Sequence, residues 1–148
     1  MSKVLVVYGS TTGNTESIAS KVASLLEAKG HEAVVKNAAD VDPQGLAEGY
    51  DAVLMGASCW GDEDIELQED FAPLAERFGD MGLAGKKVAA FASGDSSSEH
   101  FCAAVDVVEA GAKDNGAEIV AAGLKVEGSA SDAPDEVEAF AEAVAKAL

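Results

Sequence analysis

Three short stretches carry the residues whose types and spacing could do chemistry. The first, "GSTTGNT" (residues 9–15), sets Ser10, Thr11, Thr12, Asn14 and Thr15 around Gly13, with no lysine or arginine among them. Hydroxyls, an amide and a backbone able to turn at two glycines make an anion cradle when a helix follows, because the first helical N–H groups are unpaired and carry partial positive charge. An ordinary helix cap uses one such side chain or two; five within six positions exceed that need. No lysine follows Gly13, so the loop is not the GxxxxGK[ST] of nucleotide hydrolases, and GxGxxG is absent as well. A cation-free nest of this kind suits a single terminal phosphomonoester rather than a pyrophosphate or a triphosphate.

The second stretch, "SCWGDED" (58–64), holds Ser58, Cys59, Trp60, Gly61 and Asp62, and Trp60 is the only tryptophan of the chain. Placed after an apolar run and before acids, it reads as partly exposed, either stacked on a planar ligand or covering a loop. The third stretch, "SGDSSSEHFC" (93–102), holds Ser93, Gly94, Asp95, Ser98, His100 and Cys102. Cys59 and Cys102 have no nearby cation or partnered base and read as unactivated thiols. Their spacing matches neither a disulfide scaffold nor a zinc site. His31 and His100 complete no Ser-His-Asp set, and no nucleophile elbow surrounds either. The acids of "WGDEDIELQED" read as a solvated face, and no metal is assigned. A phosphate cradle and a flat aromatic together describe a ligand with a phosphate at one end and a planar ring at the other.

The elements that must position these stretches follow from the apolar pattern. Five runs, "KVLVVYG", "EAVVK", "AVLMGAS", "KVAAFAS" and "EIVAAGLKV", read as strands apolar on both faces, which a parallel sheet covered on both sides requires. Between them Ile18, Val22, Leu25 and Leu26 repeat at helical spacing before Gly30. Phe71, Leu74, Ala75 and Phe78 do so before Gly79, and Phe101, Val105, Val108 and Ala112 before Gly116. A last helix opens at "SDAPDEVEAF", with Asp132 as cap and Pro134 in the first turn, and buries Val137, Phe140, Val144 and Leu148. "DVDPQGLAEGY" carries one helical turn at most. Strands alternating with helices predict a three-layer, doubly wound α/β domain with a five-stranded parallel sheet. Ligands of such sheets bind outside the carboxyl ends of the strands, where all three polar stretches fall.

The chain of 148 residues is 48% hydrophobic and has no Pro- or Ser-rich linker, so residues 1–148 read as one domain. A formal charge of −17 speaks against nucleic acid and anionic membranes and favours basic partners. Two cysteines without scaffold spacing fit a reducing cytoplasm. The N-terminus enters a strand pattern too soon for a signal peptide, and no apolar run approaches the ~20 residues of a membrane span.

"VVYGSTTGNTESIA", "GASCWGDEDIELQEDF" and "FASGDSSSEHFCAAVD" resemble, in order and across essentially the whole chain, the phosphate loop and two ring-flanking loops of short-chain flavodoxins of sulfate-reducing bacteria. The resemblance implies strand order 2-1-3-4-5, the flavodoxin order of doubly wound sheets, and a noncovalent FMN. By resemblance Ser10 through Thr15 would bind the FMN phosphate, Trp60 would cover one ring face, and Gly61 would place its peptide near N5. Ser93 through Asp95 and onward to Cys102 would bind the pyrimidine edge. One position departs: where the family usually stacks an aromatic on the second ring face, the chain has Ser98. His100 either partly fills that gap or is solvated.

The resemblance implies an electron carrier and not an enzyme, a monomer that exchanges electrons with basic-surfaced cytochromes and oxidoreductases. Asp62, Glu63, Asp64, Asp95 and Glu99 in or beside the ring loops would make the second reduction hard, so the carrier would cycle between semiquinone and hydroquinone at low potential. The alternative of the same fold is an NAD(P)H-dependent FMN or quinone reductase. A phospho-receiver domain needs acids after the first strand, where this chain has "YGSTTG".

Overall fold

Apolar strands stack side by side in the centre of the molecule. The computed structural model describes residues 3–9, 14–41, 44–60, 66–67, 77–94, 104–121, 123–127 and 133–148. The strands are β1 (Lys3–Gly9), β2 (Glu32–Asn37), β3 (Ala52–Trp60), β4 (Glu66–Leu67), β5 (Lys87–Gly94), β6 (Glu118–Ile119) and β7 (Leu124–Glu127). Among the described residues the helices are α1 (Asn14–Ala28), α2 (Ala104–Asp114) and α3 (Pro134–Ala147).

The sheet runs β2-β1-β3-β5-β6, with β7 also on β5. Every pairing along it is parallel, and among the described strands only β4 returns antiparallel, onto the end of β3. The predicted order 2-1-3-4-5 is recovered, with "EIVAAGLKV" divided into β6 and β7 on successive halves of β5. Side chains alternate across the sheet. Val4, Val6, Leu54, Ala89 and Phe91 face α1 and α3, while Leu5, Val7, Met55, Val88 and Ala90 face α2 and the segment around Phe78, Met81 and Leu83. Nearly all are fully buried, as a sheet covered on both faces requires. The outer strand β2 departs from the expectation of two apolar faces: its residues are exposed or half-buried, and Val35 is 36% exposed, because β2 has one neighbour only.

Helix α1 buries Ile18, Val22 and Leu26, and Leu25 is half-buried at the rim. It ends where Gly30 takes φ 92°, a left-handed turn in which Gly30 N–H donates to Glu27 O and His31 N–H to Leu26 O. Gly116 ends α2 in the same way with φ 83°. Gly79 lies inside a 3₁₀ turn, Phe78–Asp80, and the rest of that predicted helix, residues 71–76, lies outside the described residues. At α3 Pro134 takes the first turn as expected, but Ala133 is the capping residue and makes no side-chain cap bond, while Asp132 lies outside the described residues. Val137, Phe140 and Val144 are buried, and Leu148 only partly. In "DVDPQGLAEGY" the described residues 44–49 form turns.

Candidate functional site

The register of the three central strands fixes where the polar stretches leave the sheet. Gly9 of β1 stands beside Ala57 of β3, and Ala57 beside Ala92 of β5. Side chains at this level are a hydrogen and two methyl groups, so the carboxyl edge narrows to almost bare backbone. One step further Ser58 pairs with Ser93, and Ser93 and Gly94 pair with Val126 and Glu127 of β7. With strands about 4.8 Å apart, the ends of β1 and β5 stand roughly 10 Å from each other with β3 between them. The three stretches therefore start side by side from adjacent strands.

The strands reach further into these stretches than the sequence pattern indicates. β3 continues through Ser58, Cys59 and Trp60, whose backbone pairs with Glu66 of β4, so the first three residues of the second stretch belong to the strand. β5 includes Ser93 and Gly94, the first two residues of the third stretch. Helix α1 already includes Asn14 and Thr15. Ser10, Thr11, Thr12, Gly13, Gly61, Asp62, Asp95, Ser98, His100 and Cys102 lie outside the described residues, as do Glu63, Asp64 and Glu99.

Thr15 tests whether this edge fits a phosphate. Among the described residues it is the one buried polar side chain, fully enclosed at the start of α1, and it has interaction partners there. A helix start with free N–H groups and a buried hydroxyl is a neutral donor set. Of the described cations Lys125 of β7 stands at this level, its backbone paired with Ala92 of β5, and the others that follow sit elsewhere. Lys3, Lys86 and Lys87 mark the amino ends of β1 and β5, and Lys113 and Lys146 the last turns of α2 and α3. Lys36 and Lys125 are exposed on the outer strands β2 and β7, and the described residues of β1, β3 and β5 include no cation besides Lys3 and Lys87. Donors without a formal charge fit a phosphate that is held by hydrogen bonds, the arrangement the first stretch implies.

Two features of the edge escape the sequence reading. A Cβ on Gly56 would lie 2.1 Å from the Phe91 ring, so the ring of Phe91 lies flat across the backbone of β3 one residue before the edge. Phe91 also meets Phe140 edge-on, with centroids 6.3 Å apart. A glycine inside an apolar strand was the available signal for this close approach. Tyr8, buried at the end of β1, has its phenol pushed above its ordinary pKa first by burial and next by Glu16, against a hydrogen bond with Asn37 that lowers it. It is therefore neutral at physiological pH and adds no charge to the edge.

The flavodoxin family model matches residues 6–146. The chain is 48% identical over 128 residues to a flavodoxin of Maridesulfovibrio salexigens, covering 86% of this chain and 88% of that one. It is 45% identical to a flavodoxin of Nitratidesulfovibrio vulgaris, over 148 residues and the whole of both chains. Among solved structures it is similar to oxidised flavodoxin 2 from Bacillus cereus, with TM-score 0.90 and 38% identity over 99% of each chain. A family match across nearly the whole chain, on a sheet of flavodoxin order with its polar loops at the carboxyl edge, means that the chain belongs to the flavodoxin family and is an FMN-bound electron carrier rather than an enzyme.

Proposed function

We propose that the chain, a single domain over residues 1–148, carries one electron at a time at low potential with its FMN in the cleft of the three carboxyl-edge loops. Ser10, Thr11, Thr12, Gly13, Asn14 and Thr15 would hold the phosphate. Ser58, Cys59, Trp60, Gly61 and Asp62 would line one face of the ring, and Ser93, Gly94, Asp95, Ser98, His100 and Cys102 its pyrimidine side. FMN, when bound, supplies the redox chemistry. The residues of the chain bind it, orient it and set the electrostatic surroundings of the ring. The observation that carries this reading is the fully buried Thr15 at the start of α1, after a β1 whose last residue stands in register with residues of β3 and β5 that are not cations.

Neutral donors hold the phosphate by hydrogen bonds, which leaves the formal charge near the ring to the acids of the second and third loops. Those acids favour basic-surfaced redox partners such as cytochromes and oxidoreductases. At a net charge of −17 copies of the chain repel one another, which supports a monomer. Cytoplasmic residence follows from the same reading, with Cys59 and Cys102 kept as thiols. No described helix is long and apolar enough to cross a membrane. The reductase alternative is not favoured, since the relatives are flavodoxins.

The test is titration of the apoprotein with FMN and with riboflavin, which lacks only the phosphate. FMN is expected to bind far more tightly and to turn the protein yellow. Equal affinities would refute a phosphate site at Ser10–Thr15.

A further inference from the structure

Helix α2 is held at both ends by glycines that accept a side chain onto their backbone. At the start, a Cβ on Gly123 would lie 2.1 Å from Cγ1 of Val105, in the first turn of α2. At the other end, a Cβ on Gly111 would lie 2.2 Å from the Phe78 ring. Val105 and Phe78 are both buried in the same layer of the core. The two contacts are alike in closeness but differ in what lies next to them. Gly111 faces the amino edge of the sheet, where Asn115 Nδ2 donates to its carbonyl and Gly85 N–H donates to Gly116 O. Gly123 stands one residue before β7, and Val105 stands one residue after α2 begins.

Residues 95–103 join the end of β5 to the start of α2. One anchor, Gly94, pairs with Glu127 of β7, and the other, Ala104, opens the turn that carries Val105. The short stretch from Gly123 to Glu127 thus meets Gly94 through Glu127 and the first turn of α2 through the contact of Gly123 with Val105. The fifth strand is divided ahead of this stretch, its first part ending at Ile119, and Gly123 offers bare backbone to Val105 of α2.

We propose that Gly123 is a positioning residue for the flavin, which sets where the 95–103 loop ends by letting α2 seat its first turn on the backbone ahead of β7. The proposal rests on the reading that this loop borders the ring. With a methyl group at residue 123, Val105 Cγ1 would have to retreat by roughly 1.3 Å to reach ordinary contact. A β-branched side chain in a helix has one strongly preferred χ1 rotamer, so the relief comes from moving the helix rather than from turning the side chain. In a close-packed interior that shift passes to the chain leading into α2.

The experiment compares Gly123→Ala with Gly111→Ala, its matched control on the same helix, and with the double variant Gly123→Ala/Val105→Ala, which removes the colliding methyl groups. Thermal unfolding, FMN Kd and both one-electron potentials at saturating FMN are measured. Both single variants are expected to lose thermal stability. FMN Kd should rise by about tenfold, or about 1.4 kcal/mol, in Gly123→Ala only, with a shift in potential, and fall back to within about threefold of wild type in the double variant. Val105→Ile, which lengthens the same contact from the helix side, carries the test if Gly123→Ala does not fold, and its Kd should rise in the same direction. Equal Kd values in the two single variants, a double variant no tighter than Gly123→Ala, or an unchanged Kd in folded Val105→Ile overturns the positioning role alone. A wild-type protein that binds no FMN overturns the functional reading as well.

Discussion

The two edges of the sheet are built from the same strands and do opposite things with charge. At the amino edge cations close the fold. Lys86 Nζ donates to Tyr50 O at 2.8 Å, Lys87 Nζ donates to Ala147 O, Lys3 Nζ stands 5.0 Å from the centre of the Tyr50 ring, and Lys3 N–H donates to Asp51 Oδ2 at 2.8 Å. Toward the carboxyl edge Gly9, Ala57 and Ala92 stand side by side on β1, β3 and β5, with the neutral, buried Thr15 at the start of α1 and acids in the stretches that follow. The eight residues of β5 separate the two by roughly 23 Å. The difference teaches that lysines which could have held a phosphate are spent on scaffolding, and that the ligand edge is left to hydrogen bonds. Substitutions at the amino edge should therefore change stability alone, and those at the carboxyl edge should change flavin binding or potential.

The largest effect lies where the carboxyl edge depends on the core. Phe91→Ala would open a cavity between Gly56 and Phe140 and is expected to lose about 3–5 kcal/mol of unfolding free energy. Urea denaturation checks this, and a loss under about 1 kcal/mol would mean that the ring does not brace the strand. Thr15→Ala is expected to weaken FMN by about 1–2 kcal/mol, a factor of roughly 5–30, through loss of a hydroxyl donor to a charged group. An unaltered Kd by fluorescence titration would remove Thr15 from the phosphate site. Lys86→Met deletes the bond to Tyr50 O at the amino edge and should cost about 1 kcal/mol of stability with FMN Kd unmoved. A weaker Kd there would break the division between the edges. Ser98→Tyr restores an aromatic to the third loop and should tighten FMN by about 0.5–1.5 kcal/mol with a shifted visible spectrum. No change in either would mean that another group already covers that face.

The parallel strands were legible because both faces are buried, so Val4 to Val7 or Val88 to Phe91 read as unbroken apolar runs. β2 misled for the same reason, since "EAVVK" has the composition of a central strand but only one neighbour. The break in "EIVAAGLKV" was not legible, and the tertiary contact beside it, Val105 on Gly123, leaves no local pattern either. Phe78 was placed in a helix by its period, yet it starts a 3₁₀ turn and packs on Gly111. At the site, residue types identified the phosphate loop and the ring loops, but not where they begin. β3 runs on to Trp60 because it finds a partner in β4, a two-residue strand with no propensity signal of its own. Gly56 against Phe91, which levels β3 with β5 below the edge, is likewise a contact between strands far apart in the sequence.

The central claim is that charge at the carboxyl edge, and not the charge of the molecule as a whole, sets the second reduction of the bound flavin. Two charges about 10 Å apart at an effective dielectric of about 40 interact by roughly 0.8 kcal/mol. For one electron that is about 35 mV, since about 1.4 kcal/mol corresponds to about 59 mV. At roughly 23 Å, beyond two Debye lengths at physiological ionic strength, the same charge is largely screened. The direct measurement is both one-electron potentials of the FMN-loaded protein in Asp62→Asn, Asp95→Asn, their double variant and Glu118→Gln, which neutralises an exposed acid at the amino edge. The expected result is a second potential that rises by about 35 mV in each single carboxyl-edge variant and by about twice that in the double, with the first potential nearly still and Glu118→Gln without effect. A second potential that stays put in the double variant, or that moves as much in Glu118→Gln as in Asp62→Asn, would contradict the account.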